Sequence, residues 1–175
     1  MLFLCLLAVA TGSAPNLPSP AFQEFQARLK DYVALHKKLE VALPPLPDKA
    51  TPEEIDRNQR LLGKRIAASR SDSKPGEFFT PAIQDLVEAS LKDVLHDMGA
   101  KNLKASIMDE NPGPLKLSIN SRYPDDVPLS TMPAQVLAAL PPLEEDLEYR
   151  FIGRRLVLLD VHAHMIVDYT DEILP

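Results

Sequence analysis

The stretch LEYRFIGRRLVLLDVHAHMIVDY, residues 147–169, decides the fold. Gly153-Arg154 suits a two-residue hairpin turn, because glycine supplies the positive φ that such turns demand. Closing the chain there sets Phe151 opposite Leu156, Tyr149 opposite Leu158 and Leu147 opposite Asp160, so one face is almost wholly apolar. The next turn is decided by parity, since a slip of one residue sends every side chain to the wrong face. Pairing Asp160 with Met165 puts Val167 opposite Leu158 and Tyr169 opposite Leu156, which carries the apolar face across three strands. Slipping by one sets Asp168 against Leu158. The first register is expected, and it leaves Glu148, Arg150, Arg155, Val157, Leu159, Ile166 and Asp168 on a half-polar outer face.

Upstream of this meander the period is helical. Phe22, Phe25, Leu29, Tyr32, Val33 and Leu39 recur with charges between them, which predicts a first helix of about six turns. His36 falls on the same stripe and is read as a packed, hydrogen-bonded core histidine. The run Leu43-Pro44-Pro45-Leu46-Pro47 stops that helix, because consecutive prolines remove donors and hold their neighbours out of the helical region. Thr51-Pro52-Glu53-Glu54 then supplies an N-cap hydroxyl, a proline at the first helical position and a capping-box glutamate. A second helix should run to about Arg70, with Ile55, Leu62 and Ile66 against the first. Thr80-Pro81 opens a third, with Ile83, Leu86, Val87, Val94, Leu95 and Met98 inward, and Gly99 as its stop. His96 beside that stop suits the negative end of the helix dipole.

After Gly99 the spacing changes from helical to alternating. Leu103, Ala105, Ile107 and then Leu115, Leu117, Ile119, on either side of the turn-forming residues 109–114, predict a further hairpin. Thr131-Met132-Pro133 begins a short helix through Leu140, and Asp125-Asp126 read as solvated turn carboxylates. The fold class expected is α+β: an N-terminal helical hairpin plus a third helix, packed on an antiparallel sheet that ends in a C-terminal three-stranded meander.

A chain of 175 residues suits one domain that needs no metal or disulfide merely to fold. Residues 1–10 (MLFLCLLAVA), followed by small residues, have the pattern of a secretory signal, with cleavage after Ala10 or Ala14. A membrane anchor would require roughly 20 apolar residues. The expected organisation is a signal peptide over residues 1–14 and one α+β domain over 15–175, its helical part at about 20–98 and its sheet part at about 102–172. The one cysteine, Cys5, lies in the signal, so the mature chain carries no disulfide and no thiolate nucleophile or metal ligand. With a net charge of −6 and no dense basic stripe, nucleic acid is not an expected partner. No stable membrane span is expected after cleavage.

Chemistry concentrates at Asp160-Val161-His162-Ala163-His164. Two imidazoles and a carboxylate are the donor types that Zn, Ni or Cu prefer, although a closed structural site takes four ligands and a catalytic one at least three. The string resembles the first metal-binding strand of amidohydrolases, which would imply a metal-dependent hydrolase. That family's barrel occupies roughly two hundred or more residues, against 11 after His164, so hydrolysis ranks last. The strand, glycine turn, strand and the closing Ile166-Val167-Asp168 resemble the C-terminal hairpins of periplasmic nickel and cobalt homeostasis proteins. Over its whole length the chain resembles secreted bacterial proteins of unknown function. The signal pattern predicts a periplasmic or extracellular location, and the resemblances imply that the source is bacterial. The expected function is non-catalytic binding or structural interaction with an unidentified protein partner and no cofactor. The alternative is weak Zn or Ni binding through Asp160, His162 and His164. No phosphate loop, nucleophile elbow or ordered Ser/His/Asp set is found.

Overall fold

In the computed structural model, which describes residues 19–98, 105, 107 and 115–174, the C-terminal stretch forms an antiparallel sheet. Its strands are β1 (Leu147–Ile152), β2 (Arg155–Asp160) and β3 (Met165–Glu172), in the order β1-β2-β3. The first turn is as expected: Gly153 takes a φ of 58°, and Leu147, Tyr149 and Phe151 face Asp160, Leu158 and Leu156. The second turn also closes Asp160 on Met165. Beyond it the register departs from expectation. Leu159 faces Ile166 but Leu158 faces Asp168, and Val157 faces Tyr169, so Val167 is an extra residue on β3. A second irregularity lies between Arg155 and Val157. Such β-bulges turn two successive side chains to one side of the sheet. Val167 joins the main core, Tyr169 packs on the outer side, and Asp168 is wholly buried.

The helices are α1 (Pro20–Val41), α2 (Pro52–Ser69), α3 (Pro81–Met98) and the short α4 (Ala134–Ala139). Ser19 caps α1, and α2 begins with the full reciprocal capping box of Thr51 and Glu54, which satisfies donors that the first turn would otherwise strand. One continuous core joins Phe25, Leu29 and Tyr32 of α1, Leu62 and Ile66 of α2, and Ile83, Val87 and Leu91 of α3 to Tyr149, Phe151, Leu156, Leu158 and Val167 of the sheet. Each such side chain contributes about 1.5–3 kcal/mol when fully buried. Ile55 and Leu86, expected inward, are exposed. Helix α2 approaches the β2–β3 turn closely at Gly63, where a Cβ would lie 3.3 Å from the Ala163 carbonyl oxygen.

Of the two settings open to the half-polar outer face, solvent exposure or cover by another element, the second is found. Tyr123, Ile152, Val157, Leu159 and Ile166 form a second buried cluster, covered by Leu115, Leu117 and Val127. Backbone bonds from Asn120 and Tyr123 to β3 and its turn, and from Ile166 back to Ser121, hold this cover along the strand edge. The hairpin expected at residues 103–119 is corrected accordingly. Ala105 and Ile107 are helical, and residues 115–118 carry no ladder, so among the described residues the first strand of the sheet is β1, at Leu147. At Leu115 and Leu117 the alternation marks a loop whose half-buried apolar side chains pack on the sheet without a strand ladder. The expected turn at residues 109–114 and the expected signal peptide at residues 1–14 lie outside the described residues. Among the described residues, no helix is long and apolar enough to cross a membrane.

Candidate metal centre

Side-chain parity along β2 places Asp160 on the helix-facing side, two residues beyond Leu158 and four beyond Leu156. It is completely buried, which is costly for a carboxylate unless its oxygens are satisfied. They are satisfied from two directions. Tyr32 donates its hydroxyl at 2.7 Å and His36 its Nδ1–H at 2.7 Å to Oδ2, while the Ala163 amide donates at 2.7 Å to Oδ1. The same α1 stripe that buries Phe25 and Leu29 brings Tyr32 and His36 to this point. Burial and the charge of Asp160 push the Tyr32 pKa well up, so the phenol stays a neutral donor.

Because a carboxylate only accepts, Nδ1 of His36 carries its proton, and the neutral ring presents its lone pair at Nε2. That atom points out of the core. It lies 3.2 Å from Nδ1 of His162 in the β2–β3 turn and 3.9 Å from a carboxylate oxygen of Glu40, one helical turn further along α1. His162 Nδ1 lies 3.7 Å from the other oxygen of Glu40. His36 is buried, while Glu40 and His162 are partly open to solvent, with side-chain exposures of 42% and 36%. One ligand atom from each of these residues falls within 4.8 Å of the others. At metal–nitrogen bonds of about 2.1 Å, tetrahedral ligands stand roughly 3.4 Å apart. The two imidazole nitrogens are already at about that spacing, and one Glu40 oxygen lies within 4.8 Å of both.

Burial would lower the His36 pKa, but the hydrogen bond and charge of Asp160, assisted by Asp146 and Glu40, more than offset it and leave the group above its ordinary value. The pair with Asp160 thus stabilises the protonated His36 ring relative to a free histidine.

Of the residues expected to hold metal, His162 is in the cluster. Asp160 stands behind it as the orienting carboxylate, with Oδ2 taken by Tyr32 and His36 and Oδ1 by Ala163. His164 is directed elsewhere: in a left-handed conformation with φ 51°, it packs edge-on against Tyr123 and lies 3.6 Å from Asp125. Burial and the Arg122 guanidinium depress its pKa against the opposing pull of Asp125. His36 and Glu40 did not stand out in the sequence, where the helical stripe accounted for His36 by itself. The available signal was the four-residue spacing of a histidine and a glutamate on one helix face. No protein-family model, curated protein or solved structure matches the chain.

Proposed function

We propose that the protein binds one divalent transition-metal ion through His36 Nε2, His162 Nδ1 and the Glu40 carboxylate. The observation that carries this reading is the buried Asp160. It costs the fold a desolvated carboxylate, and its effect is to fix the His36 ring with Nε2 aimed at two further donors. A carboxylate behind a histidine is the usual support of a histidine–metal bond, setting both tautomer and ring orientation. Two imidazoles and a carboxylate without thiolates suit Zn(II), Ni(II) or Cu(II). Three protein ligands leave a position for water or another donor, which fits an exchangeable ion better than a closed structural site. This extends the expected metal-binding alternative while replacing two of its three ligands.

Elemental analysis of the purified protein, followed by calorimetric titration of the stripped protein with Zn(II) and Ni(II), tests the proposal. One equivalent should bind to the wild type, with weakening of at least about tenfold in His36→Ala, Glu40→Gln and His162→Ala. Titrations identical in the wild type and the His36→Ala/His162→Ala double variant overturn it.

A further inference from the structure

On the opposite flank of α2 from its buried residues, Arg60, Gly63, Lys64 and Ala67 repeat at helical spacing and face Asn120, Arg122, Ala163 and Met165 across a half-enclosed cavity of about 300 Å³. Its two halves differ in chemistry. Gly63 and Ala67 are too small to fill the space, and with Ala163 and Met165 they leave an apolar floor. Arg60, Lys64 and Arg122 make a cationic rim. Arg122 is fixed in place by Asp125, Asp56 and Gln59, and Arg60 by Asp56 through Nε and Asp125 through Nη2. Those carboxylates lie outside the lining and balance the two guanidinium groups. Lys64 has no acceptor among the described residues, so the rim holds one uncompensated positive charge beside a preorganised guanidinium pair.

We infer that this cavity is a binding site for a small organic monoanion, a carboxylate with a short aliphatic tail: the head group takes Lys64 and the free edge of Arg60, and the tail lies along Gly63 and Ala67, above the buried Ala163 and Met165. A volume of 300 Å³ lies at the lower end of the range for small-molecule sites, which limits the tail to a few carbons. Concave sites with an apolar lining and a few placed polar groups are those that recognise such molecules. A bare inorganic anion would leave the floor wet, and a neutral alcohol would leave Lys64 unpaired. The site shares no side chain with His36, Glu40 and His162, so it stands or falls independently of metal binding.

Hexanoate is a suitable probe, with hexanol and inorganic phosphate as comparators, followed by amide chemical shifts in the full chain. Hexanoate should shift the amides of Gly63, Ala163 and Met165 saturably and more tightly than either comparator. Lys64→Gln should weaken hexanoate by about five- to tenfold while leaving the fold intact, and Ala67→Leu, which fills the floor, should abolish binding. His162→Ala should bind hexanoate as the wild type does. Absence of saturable shifts, equal binding of hexanol, or equal binding of phosphate would each overturn the assignment.

Discussion

Asp168 stands opposite Leu158 across the β2–β3 ladder, and its carboxylate accepts hydrogen bonds from three backbone amides in the α2–α3 connection. Gly76 donates to Oδ1 at 2.8 Å, and Phe78 and Phe79 donate to Oδ2 at 2.7 and 3.0 Å. A β-strand residue thus organises a loop ninety residues earlier in the chain, a separation of 90 between Asp168 and Phe78. Burial raises the Asp168 pKa, and the amides of Phe79, Gly76, Phe78 and Tyr169 oppose that rise. The same loop positions Phe78 against the Tyr32 ring, edge-on at 6.0 Å, and so contributes to the wall behind the candidate metal centre.

Replacing Asp168 should therefore destabilise the protein through the amides it leaves behind. Asp168→Ala strands three buried or partly buried N–H groups and should cost about 3 kcal/mol or more. Asp168→Asn keeps the shape but turns an amide NH2 towards one donor, with an expected loss of about 1–3 kcal/mol. Urea unfolding of the two variants checks this. An alanine variant as stable as the wild type would show that water replaces the carboxylate.

The fold class was legible because the meander's first turn, the proline and capping signals and the helical stripes all act locally. Parity reasoning failed at Leu158 and Asp168 for a physical reason: an apolar face predicts an unbroken ladder, whereas a bulge at Val167 admits a buried carboxylate when a distant loop satisfies it. The alternation at residues 103–119 misled in a similar way. Spacing by two reports which side chains are buried and is silent on strand pairing. At the candidate metal centre, His162 and Asp160 were legible as chemistry, but the partnership of His36 with Asp160 spans 124 positions and exists only once α1 lies across the sheet.

Asp160 should act on metal affinity without touching the ion. Asp160→Asn offers His36 a weaker acceptor and no negative charge, so Zn(II) affinity should fall by about 10–100-fold. Tyr32→Phe removes only the hydroxyl that donates to Asp160. It should cost about 1 kcal/mol of stability and weaken Zn(II) less than Asp160→Asn does. Calorimetric titration together with thermal unfolding separates the two effects. Equal affinities in the wild type and Asp160→Asn would contradict the orienting role.

Stability and metal affinity should respond to pH in opposite directions. The folded pKa of His36 lies above the ordinary histidine value of about 6.5. Its imidazolium–Asp160 pair thus contributes stability that is full below the unfolded pKa and is lost as pH rises through the folded pKa. In chelator-treated protein, Tm should fall across that window for the wild type, and His36→Gln should lack this component. Zn(II) competes with the proton on Nε2, so its affinity should rise across the same window. Thermal unfolding over a pH series, with chelator and with saturating Zn(II), reads both trends.

The two histidines of the turn should separate cleanly under mutation. His162 is a proposed ligand in a partly exposed position, so His162→Ala should change stability by less than about 0.5 kcal/mol while weakening metal binding at least about tenfold. His164 does the reverse. Its ring meets Tyr123 at 90° with centroids 5.6 Å apart, a contact worth about 0.5–1.5 kcal/mol, and its backbone is left-handed. His164→Ala loses the ring and keeps the unfavourable φ, whereas His164→Gly loses the ring and relieves the φ. The glycine variant should be the more stable of the two by about 1 kcal/mol. Both should bind Zn(II) as the wild type does, because His164 faces Tyr123 and Asp125 and not His36. Urea unfolding and metal titration of the three variants decide the point, and loss of Zn(II) binding in His164→Gly would place His164 among the ligands after all.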